Sequence, residues 1–167
     1  MNDVNRKWYA YYTKPKHEFK ALEQLNNICG ETFLPAIIVK KRWSDRWKNI
    51  NEPLFKGYIF VKVTEKERLL GLQQKAIINT VSFSGLPAAI PDYQIENLKK
   101  MLNSNKEIFV EYKIIEGKKI IVTGGPFDGI EGVVYSVSGN DNMLAVTIDL
   151  LQRSVIVKLP IANIKVK

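Results

Sequence analysis

The chain has 167 residues, of which 46% are hydrophobic and 10% aromatic, enough apolar material for a packed core and far from the depleted composition of a disordered protein. It carries 25 Lys and Arg against 17 Asp and Glu, a net charge of +8, and only one cysteine and one histidine, which excludes an internal disulfide framework and a structural zinc site. No apolar run approaches the roughly 18 residues of a membrane span, and the first residues lack the apolar segment of a signal peptide, so a cytoplasmic chain without membrane association is expected.

In chain order, Trp8–Thr13 is aromatic and threonine-rich and predicts a strand ending at Lys14-Pro15. Phe19, Leu22, Leu25 and Cys29 recur at three- and four-residue spacing, which predicts a helix from Glu18 stopped by Gly30. Thr32–Lys40 predicts a strand, with Pro35 marking an edge or a bulge. Trp43–Asn51 is expected as a long hairpin tip. Pro53–Val63 turns at Lys56-Gly57 and returns as a strongly apolar strand, placed centrally.

Glu65–Gln74 predicts a short helix and Ile77–Phe83 a strand before the Ser84-Gly85 turn. Pro91-Asp92 opens a further helix carrying Ile95, Leu98, Met101 and Leu102, with Asp92 capping it or favouring its positive end. Asn103-Ser-Asn105 breaks the pattern, and residues 105–116 are read as a linker; an ordered strand around Ile108–Tyr112 is the competing reading. Beyond it, Lys119–Thr123, Gly132–Val137, Met143–Ile148 and Ser154–Leu159 are β-branched and separated by glycine-rich turns, which predicts a small all-β barrel whose closure removes exposed edges. The fold class is therefore α+β, with residues 1–104 as one domain and 117–167 as another.

The charge divides unevenly. Residues 1–104 hold 17 basic and 10 acidic side chains, a net of +7, and residues 105–167 a net of +1. Lys40, Lys41, Arg42, Arg46 and Lys48 against Asp45 put +4 on nine residues interleaved with Trp43 and Trp47. Such a basic hairpin is either the footprint of a polyanion contact, through phosphate neutralisation, or a solvated ribbon whose tryptophans pack back on the sheet.

Signs of catalysis are absent from the pattern. His17 and Cys29 sit at opposite ends of one helical segment, badly placed for a nucleophile and base, and are read as a surface imidazole and a core thiol. Gly124–Gly132 lacks the lysine and hydroxyl residue of a phosphate-binding loop and leads into a strand, so its glycines are assigned to turns. Paired metal-ligand spacing is missing as well, and neither enzyme activity nor a cofactor is predicted. Phe55, Tyr58, Phe60 and Phe83 fall on or beside two strands, with Tyr58 and Phe60 on one face by period-two geometry. Burial in the core and exposure as a partner patch both fit those aromatics.

The series Trp8-Tyr9, Pro53-Leu-Phe-Lys-Gly-Tyr-Ile-Phe-Val61, Val81-Ser-Phe-Ser-Gly85, Pro87-Ala-Ala-Ile-Pro-Asp92 and Gly125-Pro-Phe-Asp-Gly-Ile-Glu-Gly132 closely resembles the NusG family of transcription elongation factors across essentially the whole chain. The resemblance implies an NGN domain, an antiparallel sheet flanked by helices, followed by an SH3-like KOW barrel. The Trp43–Trp47 hairpin and the Leu-Phe-Lys-Gly-Tyr form are more similar to specialised paralogues such as RfaH and the UpxY antiterminators.

By resemblance, a monomeric factor would promote elongation or antitermination of specific operons. Its NGN face would dock on the clamp helices of the RNA polymerase largest subunit through Pro35, Phe55, Tyr58, Phe60, Phe83 and Ile95. A second surface, Lys14, Lys20, Gln24, Gln74 and Lys75, would touch the non-template DNA strand, a task suited to amide and ammonium groups. The implied KOW partner-binding set is Phe127, Leu150, Leu151 and Arg153, toward ribosomal protein S10 or termination factor Rho. Here the chain reads Leu150-Leu-Gln-Arg153 where the general factor has an aromatic followed by Gly-Arg. The Val and Ile density from Ile120 to Val157 argues against an all-helical KOW state. The alternative function is a ribosome-associated, RNA-binding KOW protein.

Overall fold

The computed structural model describes residues 5–137, 141–159 and 164–166. It divides into two compact units, residues 1–91 and 92–167.

The first unit is built on a four-stranded sheet in the order β2-β5-β1-β6. β1 (Lys7–Thr13) and β5 (Tyr58–Val63) are its inner strands and pair antiparallel, Tyr9 opposite Val61 and Tyr11 opposite Ile59. The apolar Tyr58–Val63 run is central, as its composition predicts, because an inner strand has no solvated edge. β2 (Glu31–Phe33) flanks β5, and β6 (Ile77–Thr80) flanks β1.

One sheet face is covered by α1 (Glu18–Leu25) and α2 (Glu65–Leu72). Tyr11, Ile59, Val61 and Val63 from the sheet pack there with Ala21, Leu25, Ala76 and Ile77, while Leu22, Cys29 and Leu72 close the periphery. Each large aliphatic side chain buried in this way contributes about 1.5–3 kcal/mol. The buried face of α1 is Glu18, Ala21 and Leu25, and Phe19, expected on it, is exposed. α1 also ends at Leu25 rather than at Gly30. The Glu18 carboxylate accepts the Gly57 amide at 2.8 Å, and Gly57 has φ +83°, the left-handed backbone that favours glycine in the turn before β5. α2 starts with a capping box, Thr64 bonding the Glu67 amide while the Glu67 carboxylate bonds the Thr64 amide.

Two expected strands are each divided. The Thr32–Lys40 strand breaks at Pro35 into β2 and β3 (Ala36–Arg42), because proline has no amide hydrogen for the ladder; the Pro35 carbonyl instead accepts the Leu54 amide at 2.7 Å. β3 pairs with β4 (Trp47–Pro53) over seven residue pairs. The hairpin tip is therefore only Trp43–Arg46, and Trp47–Asn51, expected in the tip, is strand. Ile77–Phe83 divides into β6 and β7 (Ser82–Phe83), which pairs with β8 (Leu86–Pro87) across the Ser84-Gly85 turn.

The second unit contains α3 (Asp92–Asn103) and an antiparallel sheet in the order β14-β10-β11-β12-β13-β9. Its strands are β9 (Ile108–Glu111), β10 (Lys118–Val122), β11 (Glu131–Val137), β12 (Asp141–Ile148), β13 (Arg153–Leu159) and β14 (Ile164–Val166). Residues 105–116, read as a linker, thus hold a strand, and β9 pairs with β13 with Phe109 opposite Ile156. That matches the competing reading. β14 extends the sheet beyond the strands read from the sequence and pairs with β10. Gly132 needs its hydrogen: a Cβ there would lie 2.7 Å from the Ala145 carbonyl of the neighbouring strand. Part of the expected Gly139–Asn142 turn lies outside the described residues.

α3, assigned from the sequence to the first domain, clusters with the second unit, where polar contacts explain its seat. Buried Gln94 donates to the Asp149 carboxylate at 2.9 Å and accepts the Asp149 amide, and Asn97 donates to the Glu131 carbonyl at 3.0 Å. The buried side chains of Gln94 and Asn97 thereby find the hydrogen-bond partners whose absence would cost stability.

Candidate functional site

The residues expected to meet a partner protein separate sharply by exposure. Phe60 is fully buried, stacked on Phe33 and met edge-on by Phe55, which is also buried. Pro35, at the base of the hairpin, is buried too, as is Ile95 on α3 of the second unit. Of these six residues Tyr58 is half-buried and tilted against Tyr12, and only Phe83 is open, at 73% exposure. Opposite Phe83 in the β7–β8 ribbon stands Leu86, 71% exposed. Leu86 and Tyr12 were not singled out from the sequence. The signal for Leu86 was its place across a two-residue turn from Phe83.

The residues expected to touch DNA lie on three segments that the fold gathers. The Lys14 amide donates to the Ala76 carbonyl at 2.9 Å, and the Gln24 side-chain oxygen accepts the Ala76 amide at 3.0 Å. Lys75 is the neighbour of Ala76 and is exposed, as are Lys14 and Lys20. Gln74 donates from its side chain to the Leu70 carbonyl at 3.3 Å. Lys14, Gln24 and Lys75 therefore meet around one loop, with two ammonium groups in solvent. The Gln24 oxygen serves the backbone, which composition and spacing could not reveal.

The basic hairpin stands clear of the sheet. Trp43 is 50% and Trp47 64% exposed, so the tryptophans do not pack back. The tip is closed by the Trp43 amide on the Arg46 carbonyl at 2.8 Å. Lys41 is ion-paired with Glu52, whose carboxyl is held below its ordinary range by that hydrogen bond. The Lys48 ammonium lies 4.8 Å from the centre of the Trp43 ring.

In the second unit Phe127 and Leu151 are buried, whereas Leu150 and Arg153 are half-exposed. Arg153 stacks over Tyr112 at 4.6 Å and bonds the Leu151 carbonyl at 3.0 Å. Of the implied partner-binding set, Leu150 is thus the apolar group with free surface.

Among the described residues, reactive groups do not converge. Burial, with the nearby Glu67 charge, pushes the Cys29 thiol up to about 12, so it stays protonated at neutral pH. The His17 ring contacts the Pro15 carbonyl at 2.8 Å. A cleft of about 570 Å³ beside α3 is lined by Tyr93, Gln94, Asn97, Ile121, Val133 and Thr147 among others, without cysteine or histidine. Among the described residues no group of three or more His, Cys, Asp or Glu could hold a metal ion, and no helix is long and apolar enough to cross a membrane.

Comparison with known proteins gives one answer. Residues 6–99 match the family described as NusG, transcription termination factor. The transcription termination/antitermination protein NusG of Borreliella burgdorferi is 23% identical over 97% of this chain and 99% of its own. The corresponding protein of Rickettsia felis is 21% identical over 96% and 90%. The solved structure of Thermotoga maritima NusG covers 98% of both chains with a TM-score of 0.52 at 19% identity, a likeness of fold.

Proposed function

Because this chain belongs to the NusG family of transcription termination and antitermination factors, we propose that it works without catalysis, as a cytoplasmic adaptor that docks on RNA polymerase through its first unit and promotes elongation of specific operons. The observation that carries the docking site is the β7–β8 ribbon, which holds Phe83 and Leu86 out in solvent. Apolar side chains kept exposed on a ribbon are the usual mark of a partner surface. Tyr58 and Tyr12 add a half-buried aromatic pair, and buried Phe55 and Phe60 support the sheet beneath them rather than touching the partner. The polymerase element addressed is the pair of clamp helices of the largest subunit.

Lys14, Lys20 and Lys75, with Gln24 and Gln74 around the Ala76 loop, form the surface for the non-template strand. Exposed ammonium groups suit phosphates, and the amide hydrogens left on Gln24 suit base edges. The division into an NGN-like domain over residues 1–104 and a KOW-like barrel over 117–167 is retained as a division of sequence, since the family match runs to residue 99, inside α3. Leu150 and Arg153 are the KOW positions left to meet S10 or Rho.

Affinity purification of the tagged full chain tests this. Polymerase subunits are expected to co-purify, and Phe83→Ala with Leu86→Ala to abolish the association without changing thermal unfolding. Stoichiometric ribosomal subunits in place of polymerase, or unchanged capture by the double variant, would overturn the reading.

A further inference from the structure

The β3–β4 hairpin has two unlike faces. Residues directly opposite in an antiparallel ladder share a face, and the faces alternate along it. One face carries Lys41 opposite Lys48 and Ile37 opposite Glu52. Its charges are engaged within the hairpin, Lys41 by Glu52 and Lys48 by the Trp43 ring. The other face carries, from base to tip, Ile38 opposite Asn51, Lys40 opposite Asn49, and Arg42 opposite Trp47. Among the described residues neither Lys40 nor Arg42 has a carboxylate partner, and Trp47 makes no ring contact.

We propose that this second face, Lys40, Arg42 and Trp47 with Asn49, is a binding site for single-stranded DNA. Two cations and one indole on a single ribbon face, with amides beside them, make a backbone track beside a stacking platform. A base-paired duplex offers phosphates but hides the π-faces of its bases, so it would leave Trp47 unused, and an acidic protein surface would likewise use only the cations. An unpaired strand uses both, with stacking worth about 1–3 kcal/mol per base. Same-face neighbours such as Lys40 and Arg42 stand about 6.8 Å apart along the strand, so each can meet a different phosphate.

DNA is favoured by continuity with the loop around Ala76. The Pro35 carbonyl holds the Leu54 amide at the hairpin base; three residues on, the Gly57 carbonyl takes the Thr13 amide, and the next residue, Lys14, bonds Ala76. The hairpin thus leaves the sheet at the end where Lys14 and Lys75 lie. In this respect the inference rests on the non-template reading above, and it lengthens the path of that strand.

Fluorescence anisotropy of the full chain with a labelled 20-nucleotide oligothymidylate tests it, with oligouridylate, duplex DNA and polyglutamate as competitors. Trp47→Ala is expected to weaken binding at least tenfold, and Trp47→Phe to restore most of it. Lys40→Glu with Arg42→Glu should weaken binding and lower the log–log salt slope by about 1.4, at about 0.7 per phosphate contact on a single strand. Loss of binding in the hairpin variants but not in Lys14→Glu with Lys75→Glu would sustain the hairpin site and remove the parent DNA surface. Hairpin variants that bind like the unchanged chain, or tighter competition by oligouridylate, duplex or polyglutamate than by unlabelled oligothymidylate, would overturn the proposal.

Discussion

Gln24 reaches 52 residues along the chain to accept the backbone amide of Ala76 at 3.0 Å, tying α1 to the loop that carries Gln74 and Lys75. A residue suited by type to reading bases therefore also fixes the position of the lysine beside it. Gln24→Ala leaves a part-buried amide without its partner and is expected to cost about 1 kcal/mol. Hydrogen exchange at Ala76 should quicken accordingly. Gln24→Glu keeps the acceptor, so stability should hold while the added charge weakens any contact with DNA. Equal destabilisation by both variants would show that the oxygen is not what matters.

Phe55 and Phe83 were indistinguishable as strand-associated aromatics, and the structure separates them. Phe55 is buried edge-on against Phe60, so Phe55→Ala should lose about 3–5 kcal/mol of stability, whereas Phe83→Ala should change it by less than about 0.5 kcal/mol. Urea unfolding of the two variants checks this, and similar midpoints would contradict the assignment of Phe55 to the core.

Lys14 and Lys75 are exposed, and Lys14 is anchored through its backbone rather than its ammonium. Reversing both charges should leave unfolding within about 0.5 kcal/mol of the original. Capture of a transcribing complex should weaken, most at low ionic strength where phosphate contacts count most. Identical pause profiles for variant and original chain would remove these lysines from the DNA surface.

Glu67 closes the α2 capping box and also receives the Arg6 guanidinium fork, at 2.7 and 3.0 Å. The Arg6 hydrogen bonds, with those from Thr64, hold its carboxyl down at about 2 against an ordinary value of 4.5. A carboxyl lowered by folding adds stability that is complete above its unfolded value and disappears as pH falls through the folded one. The contribution should therefore fade between about pH 4.5 and 2. Glu67→Gln should flatten the stability profile in that window and nowhere above it. A variant that loses stability with falling pH as steeply as the original would exclude Glu67 as the titrating group.

Much of this molecule was readable along the chain. The strands at Trp8–Thr13 and Tyr58–Val63 and the helices that follow them were legible in residue pattern, whereas the division at Pro35, expected as an edge or a bulge, and the strand over Trp47–Pro53 were not. The hairpin charge was visible as a count, and the motifs around Pro53–Val61 and Gly125–Gly132 pointed to the NusG family before any coordinate. These are local signals, set by residues within a turn or two of one another. Exposure is not local. Period two puts Tyr58 and Phe60 on one face without saying what covers it, so the burial of Phe60, the openness of Phe83, the bond from Gln24 to Ala76 and the seat of α3 beside Asp149 emerged from contacts between distant segments. The same limit held in the hairpin: its +4 was countable, but cross-strand register decided that Lys41 and Lys48 are engaged on one face while Lys40 and Arg42 stand free beside Trp47 on the other.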